Sequence, residues 1–429
     1  MQKTFSPRCA KIACLISIIC MVVLPFSLAK HFMLASEMVA HPASTDFYKF
    51  YISGLRLQSG TTMYWQYDKA SETVCDPSGP LECFTQARLG LHPNLNSPAF
   101  APAAFLIARL GYETSWWTWF CISLICIFVT SWIIAEQLPT NFCGKQVTTW
   151  IFTALVLTHP VHVSLSLGQV TPILMLLTAA MFHGATKGSK RLAGFILGAL
   201  ICLKPFFGLF FVPLLARKDY ETAACTTLAI VIIGASTGIW LGLSTFIDFT
   251  QAVNSITWSA SNWNASLFGW VCRIFGGSEN RPLIDAPQLG VLLYVVISMA
   301  LTAALFIVNR KHTQALSNCQ LQDRALTQTL PTMLLLAPLG WIYYFPLLAF
   351  CIPSMIKQER RFFQSALLFF FLAVCLIPQA LTLAADLNDT TQQLIEASIY
   401  FYALAGLWAA FFITNPSPKS PTLITQSRE

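Results

Sequence analysis

The sequence predicts an all-α polytopic membrane protein with about twelve transmembrane helices. It also predicts a large first outer loop bearing juxtamembrane helices. Three observations carry this. The 429 residues are 55% hydrophobic and only 10% charged, at a mean hydropathy of +0.60, where a soluble domain carries about 25% charged residues. Apolar runs long enough to enter a bilayer recur along the chain. Basic residues fall on alternate loops, the asymmetry that orients membrane proteins. The net charge of +7 follows the loops in this way, so it points to topology and to no nucleic-acid partner.

Taken in order, the spans are expected over 10–29, 114–136, 147–165, 168–186, 191–203, 205–216, 222–243, 287–309, 326–341, 343–356, 362–385 and 394–414. With a cytoplasmic N-terminus, the inner side collects Lys3, Arg8 and Lys11, then Lys145, Lys187, Lys190 and Arg191. Further along it gains Arg217, Lys218, Arg310, Lys311, Arg324, Lys357, Arg360 and Arg361, as the positive-inside rule requires. The expectation is one domain over 1–414 in the inner (cytoplasmic) membrane, with both termini cytoplasmic. Its outer loops are 30–113 and 244–286, and a Pro/Ser-rich tail, 415–429, is expected to be disordered. The first run also has the layout of a cleavable signal, but its long apolar core favours a retained anchor. The run 96–111 is too short to cross, and a crossing there would move every later loop to the wrong side. It is read as an interfacial or re-entrant helix. Most of the fourteen cysteines lie in spans, where Cys acts as a small hydrophobe. Only Cys75 and Cys83 share the first outer loop, where a disulfide fits an oxidising compartment.

The chemistry-bearing residues sit toward the outer face. In "HPASTDFYKFYISG" the apolar residues Phe47, Phe50, Tyr51 and Gly54 recur with helical spacing, so a short amphipathic helix starts at Asp46. That carboxylate is either a cap for the free N–H groups or a general base at the interface. Spacing alone does not separate the two. In "KRLAGFILGALICLKPFFGLFFVPLLARK" basic residues flank both ends. That predicts a hairpin of two short helices with Lys204 at its tip, in the outer half of the membrane. A charge there is functional, paired or snorkelling; Gly194 and Gly198 form a small-residue face for helix packing. Gly168-Gln169 tops another span. Trp341, Tyr343 and Tyr344 break an apolar run, either as an interfacial aromatic belt or as site residues. Asn262 and Asn264 flank Trp263, amides beside a flat ring that suit a sugar. His92, Asn94 and Asn96 precede the 96–111 helix. The chain has no Gly-rich phosphate loop, no zinc-site Cys/His spacing, no hydrolase motif and no acidic cluster for a divalent metal, so neither metal nor cofactor is expected.

Five stretches, in this order, resemble glycosyltransferase family 87, of the GT-C superfamily that uses polyprenol-phosphate sugars. They are "TDFYKFYISGLRLQSGTTMY", "NLNSPAFAPAAFLIARLG", "LGQVTPILMLL", "AGFILGALICLKP" and "LAPLGWIYYFPLL". The resemblance implies a GT-C fold, a polyprenyl-phosphate-sugar donor, a lipid or glycan acceptor, and mannose as the default sugar. It implies that Asp46 is the catalytic base and that Lys204, with Tyr343 and Tyr344, lies near the donor phosphate. Tyr48, His92, Asn94, Asn96, Gln169, Asn262, Asn264 and Trp341 are then the candidates for sugar or acceptor contacts. One departure stands out. Where the family commonly has Ser-Trp-x-His-Tyr, this chain has Gly340-Trp341-Ile342-Tyr343-Tyr344. Tyrosine hydrogen-bonds a phosphate or sugar but is no proton carrier at neutral pH. The alternative from a different class is a lipid-linked glycan flippase or small-solute transporter, which also uses broken helices and intramembrane charges.

Overall fold

The computed structural model describes residues 7–64, 73–75, 83–85, 94–138, 146–312, 318–357, 362–376, 389, 392 and 394–412. His92 and the 415–429 tail lie outside the described residues. The chain opens with α1 (Pro7–Ala40) and α2 (Asp46–Gln58). A two-stranded antiparallel ribbon, β1 (Thr73–Cys75) and β2 (Cys83–Thr85), follows, then α3 (Ala101–Ile107) and α4 (Tyr112–Glu136). Next come α5 (Gln146–Leu157), α6 (His159–Ser166), α7 (Thr171–Thr186), α8 (Lys190–Leu203), α9 (Phe211–Ala216) and α10 (Tyr220–Leu241). The second loop contributes α11 (Ser244–Asn254) and α12 (Leu267–Phe275). The chain continues through α13 (Pro287–His312), α14 (Asn318–Leu336), α15 (Ile352–Lys357), α16 (Phe362–Leu376) and α17 (Ile399–Phe412). The β-ribbon is a small departure from the all-α expectation. Its register sets Cys75 opposite Cys83.

The helical, polytopic class holds, but the expected runs do not all appear as full-length spans. Four described helices are long and apolar enough to cross a membrane: Ala13–Ala40, Tyr112–Glu136, Tyr220–Leu241 and Pro287–Lys311. α6 and α7 make a fifth if counted as one broken span, bent by 117°. The others are shorter apolar helices, interrupted where proline or glycine removes a donor or forces a turn. The first helix is longer than its apolar run, which was expected to end at 29. Lys30 points outward, and His31, only 2% exposed, donates from Nε2 to the Val156 carbonyl at 2.9 Å. Residue 160 is proline and has no N–H, so that carbonyl has lost its normal helical donor four residues on. His31, just past the expected end of the span, is the partner for a helix break in α5–α6.

Two close crossings shape the end of the bundle that matters here. α3 and the 3₁₀ turn before it (Pro98–Phe100) span ten residues, about 15 Å, too short to cross a core of about 30 Å. They pack on α2 at Gly54, where an added Cβ would stand 2.0 Å from the Ala104 carbonyl oxygen. α8 lies on α10 through Gly194 and Gly198. A Cβ at these positions would meet the Thr222 carbonyl and the Ala229 Cβ, each at 2.5 Å, which is the packing face the small-residue spacing predicts. The large core runs through α2, α4, α7, α8 and the residues after α14. α1 and α13 present most of their surface outward.

Candidate active site

At the start of α2 the capping role falls to the residue before Asp46. Thr45, in extended conformation, is the N-cap: its Oγ1 accepts the Tyr48 N–H at 3.2 Å and donates to the Pro42 carbonyl at 2.8 Å. Asp46 is the first helical residue, where the helix dipole favours a negative charge, and its carboxylate is not the capping group. Oδ1 accepts the Lys49 ammonium, one turn along the same helix. Oδ2 accepts the Nε2 N–H of Gln169.

Gln169 is held as firmly as the carboxylate it meets. Gly168 takes φ +65° between α6 and α7, and any side chain there would collide with Phe47 Cβ at 2.6 Å. The Gly168 carbonyl accepts Trp119 Nε1–H at 2.9 Å, the Leu167 carbonyl accepts the Phe47 N–H at 3.0 Å, and the Gln169 N–H donates to Ser164 at 2.8 Å. The first turn of α2 and the α6–α7 knuckle are thus docked backbone to backbone. The buried Gln169 amide is directed at Asp46.

Lys204 ends α8 in extended conformation (φ −140°, ψ 103°), ahead of the 3₁₀ helix Pro205–Phe210. It is 8% exposed, so its ammonium needs compensation. Part comes from the Tyr344 ring, whose centroid is 5.8 Å from Nζ, a cation–π distance. Part comes from Asp46, whose charge acts on Lys204 and also reaches Tyr343 and Tyr344. The hairpin tip is tied to the α3 segment by Ser97 Oγ, which donates to the Cys202 carbonyl. Tyr343 and Tyr344 are buried in the 3₁₀ helix Ile342–Cys351 with ring centroids 4.8 Å apart, and Phe206 packs edge-on to Tyr344 at 5.0 Å.

The structure thus brings Asp46, Gln169, Lys204, Tyr343 and Tyr344 into one cluster. Other expected site residues take different places. Asn264 is committed to the protein: Nδ2 donates to the Ser259 and Pro338 carbonyls, and Oδ1 accepts the N–H groups of Ser266 and Gly340. With the backbone bridge Asn264–Trp341, it fastens the second loop onto the turn that leads into Tyr343. Asn94 and Asn96 build a buried network with Ser53 and Tyr64. Burial, with Asp248 nearby, pushes the Tyr64 phenol well up, so it remains a donor to the Asn96 carbonyl at 2.7 Å. Tyr48 stacks on Tyr51 and meets Tyr112 edge-on at 5.2 Å. Asn262 and Trp341 are buried beside this loop.

Two residues that matter were missed. Lys49 was legible as an opposite charge at i+3 from Asp46 on a helix face. Arg273 had no local signal. It is 1% exposed and donates to Ser398 Oγ and to the carbonyls of Ala260, Ser261 and Asn264, organising the "SASNWN" loop from α12. Burial pulls its guanidinium down to about 10, still charged at neutral pH.

The profile of glycosyltransferase family 87 matches residues 94–338, more than half of the chain. The chain belongs to glycosyltransferase family 87. No curated protein matches the sequence. Family 87 membership makes the protein a glycosyltransferase and sets the transporter alternative aside. The matched stretch includes Gln169, Lys204 and Asn264, while Asp46, Tyr343 and Tyr344 lie outside it. The Gln169–Asp46 hydrogen bond and the Lys204–Tyr344 contact are among those that join the matched stretch to the residues outside it.

Proposed function

We propose that this family 87 protein transfers a sugar, mannose by default, from a polyprenyl-phosphate donor to a hydroxyl of a lipid or glycan acceptor. The reaction takes place at the outer face of the cytoplasmic membrane, on a GT-C-type fold. The observation that carries this is a carboxylate oriented by a buried amide, within electrostatic reach of a buried ammonium and two buried phenols.

The donor needs its leaving phosphate stabilised, and the acceptor needs a base. Asp46 accepts the acceptor hydroxyl's proton as the oxygen attacks the anomeric carbon. The bond from that carbon to the phosphate oxygen breaks, and its electron pair leaves with polyprenyl phosphate. Lys204, with Tyr344 against it, stabilises the developing phosphate charge in surroundings poor in water. A single displacement inverts the anomeric centre. Tyr343 supports the phosphate or sugar by hydrogen bonding, without a proton-relay role.

Asp46→Asn tests the base. It is nearly isosteric and keeps a hydrogen-bonding group at the knuckle, so folding should be retained. Turnover with a β-linked polyprenyl-phosphate mannose and a glycoside acceptor is expected to fall by about 10²–10⁴-fold. Near-wild-type turnover in this variant would sink the assignment.

A further inference from the structure

Lys49 takes no part in the transfer as drawn, yet its ammonium rests on the oxygen set that is to receive the proton. Lys49 Nζ is 2.5 Å from Asp46 Oδ1, and the two side chains are only 18% and 22% exposed. The other cation on α2, Arg56, directs its Nε to the Thr62 carbonyl at 2.7 Å. Gln169, on the second Asp46 oxygen, is neutral and cannot balance a charge.

The charges of the reaction give this pairing a use. Before transfer, the Asp46 carboxylate faces the Lys49 ammonium, and the Lys204 ammonium faces the singly charged phosphodiester of the donor. The site is neutral in two pairs. Transfer moves the acceptor's proton to Asp46, which becomes uncharged, and the leaving phosphate becomes a monoester that takes a second negative charge. At that moment Lys49 has lost its partner and the phosphate has gained a charge that Lys204 alone does not match. We propose that Lys49 is a charge-compensating residue: it neutralises Asp46 before the proton moves and neutralises the polyprenyl phosphate afterwards. This rests on the reading of Asp46 as the base. The carboxylate that Lys49 balances is the charge that already acts on Lys204 and Tyr344, so its neutralisation changes the field at the phosphate end of the cluster. A long flexible stem also lets Lys49 lean toward the phosphate.

The test separates the two phosphate charge states by binding, independently of turnover. The purified full chain is titrated at pH 8 with undecaprenyl phosphate, a monoester, and separately with its β-mannosyl diester. Thermal unfolding reports apparent affinity. Lys49→Gln is expected to weaken monoester binding about tenfold, the equivalent of about 1.4 kcal/mol, with a much smaller effect on the diester; Lys49→Arg is expected to restore it. Asp46→Asn imitates the uncharged, post-transfer carboxylate and leaves Lys49 unbalanced. It is expected to bind the monoester more tightly than wild type, and adding Lys49→Gln should remove the gain. Equal weakening of monoester and diester by Lys49→Gln, or no gain from Asp46→Asn, overturns the proposal. Failure of the base assignment is read elsewhere, as wild-type turnover by Asp46→Asn.

Discussion

At the scale of single residues, the informative comparison is between Thr45 and Asp46. Both sit where helix-capping oxygens belong, and spacing does not say which one caps. Thr45 takes the Tyr48 N–H, which releases the carboxylate to Lys49 and Gln169. Thr45 thus does the capping, and the proposed mechanism gives the freed carboxylate the work of a base. Gln169 becomes the next residue to test. It is buried, its backbone is fixed by the Gly168 turn, and its amide aims at Asp46, so in the proposed mechanism it positions Asp46 without touching a substrate. A hydrogen bond to a charged group is worth about 1.5–3 kcal/mol, and about 1.4 kcal/mol is tenfold in rate. Gln169→Leu is therefore expected to lower kcat by about 10- to 100-fold, with little change in KM for either substrate. Steady-state kinetics check the split. A rise in KM at constant kcat would instead make Gln169 a substrate contact.

At the scale of elements, the sequence was readable wherever a helix is uniformly apolar or bounded by charge. The limits expected for 114–136, 191–203, 205–216 and 222–243 fall within about two residues of the observed helices, as usual for helix ends. The Lys204 hairpin was visible because basic residues at both ends of an apolar run leave few topologies. What the sequence concealed is how freed backbone groups are satisfied. Averaged polarity ends the first span at Lys30, while the structure carries it on because His31 serves the Val156 carbonyl. Asn264 was read as an amide suited to a sugar, yet it serves the backbone of its own loop and of the turn it docks on, because loop backbones make the same demand on amides. His31→Leu separates these ideas. It keeps apolar volume and removes the donor, leaving Ser27 Oγ at 3.4 Å as the remaining contact on Val156. The expected cost is about 1–3 kcal/mol, seen as a lower Tm in detergent. An unchanged or higher Tm would mean that the broken helix satisfies itself.

At the scale of the whole molecule, the site is assembled from four distant stretches: the head of α2, the α6–α7 knuckle, the α8–α9 hairpin tip, and the 3₁₀ helix after α14. Each is a helix interruption, and all four interruptions meet at one end of the bundle. In the proposed orientation that end faces outward, because the loops joining the other ends carry Lys187, Lys190, Arg191, Arg217 and Lys218. The orientation makes a prediction that does not depend on catalysis. Ser255, which follows α11 in the second loop, and Lys187, between α7 and α8, are both exposed but are placed on opposite sides of the membrane. Cysteine introduced at Ser255 is expected to react with a membrane-impermeant maleimide in intact cells. Cysteine at Lys187 is expected to react only after permeabilisation, each read as labelling above the wild-type background. The reverse pattern would put Asp46 and Lys204 on the side where nucleotide sugars are available, and a lipid-linked donor would lose its rationale. Labelling of both sites in intact cells would mean that the α7–α8 turn does not return to the inner face. Then the hairpin that places Lys204 beside Tyr344 would need a different path through the membrane.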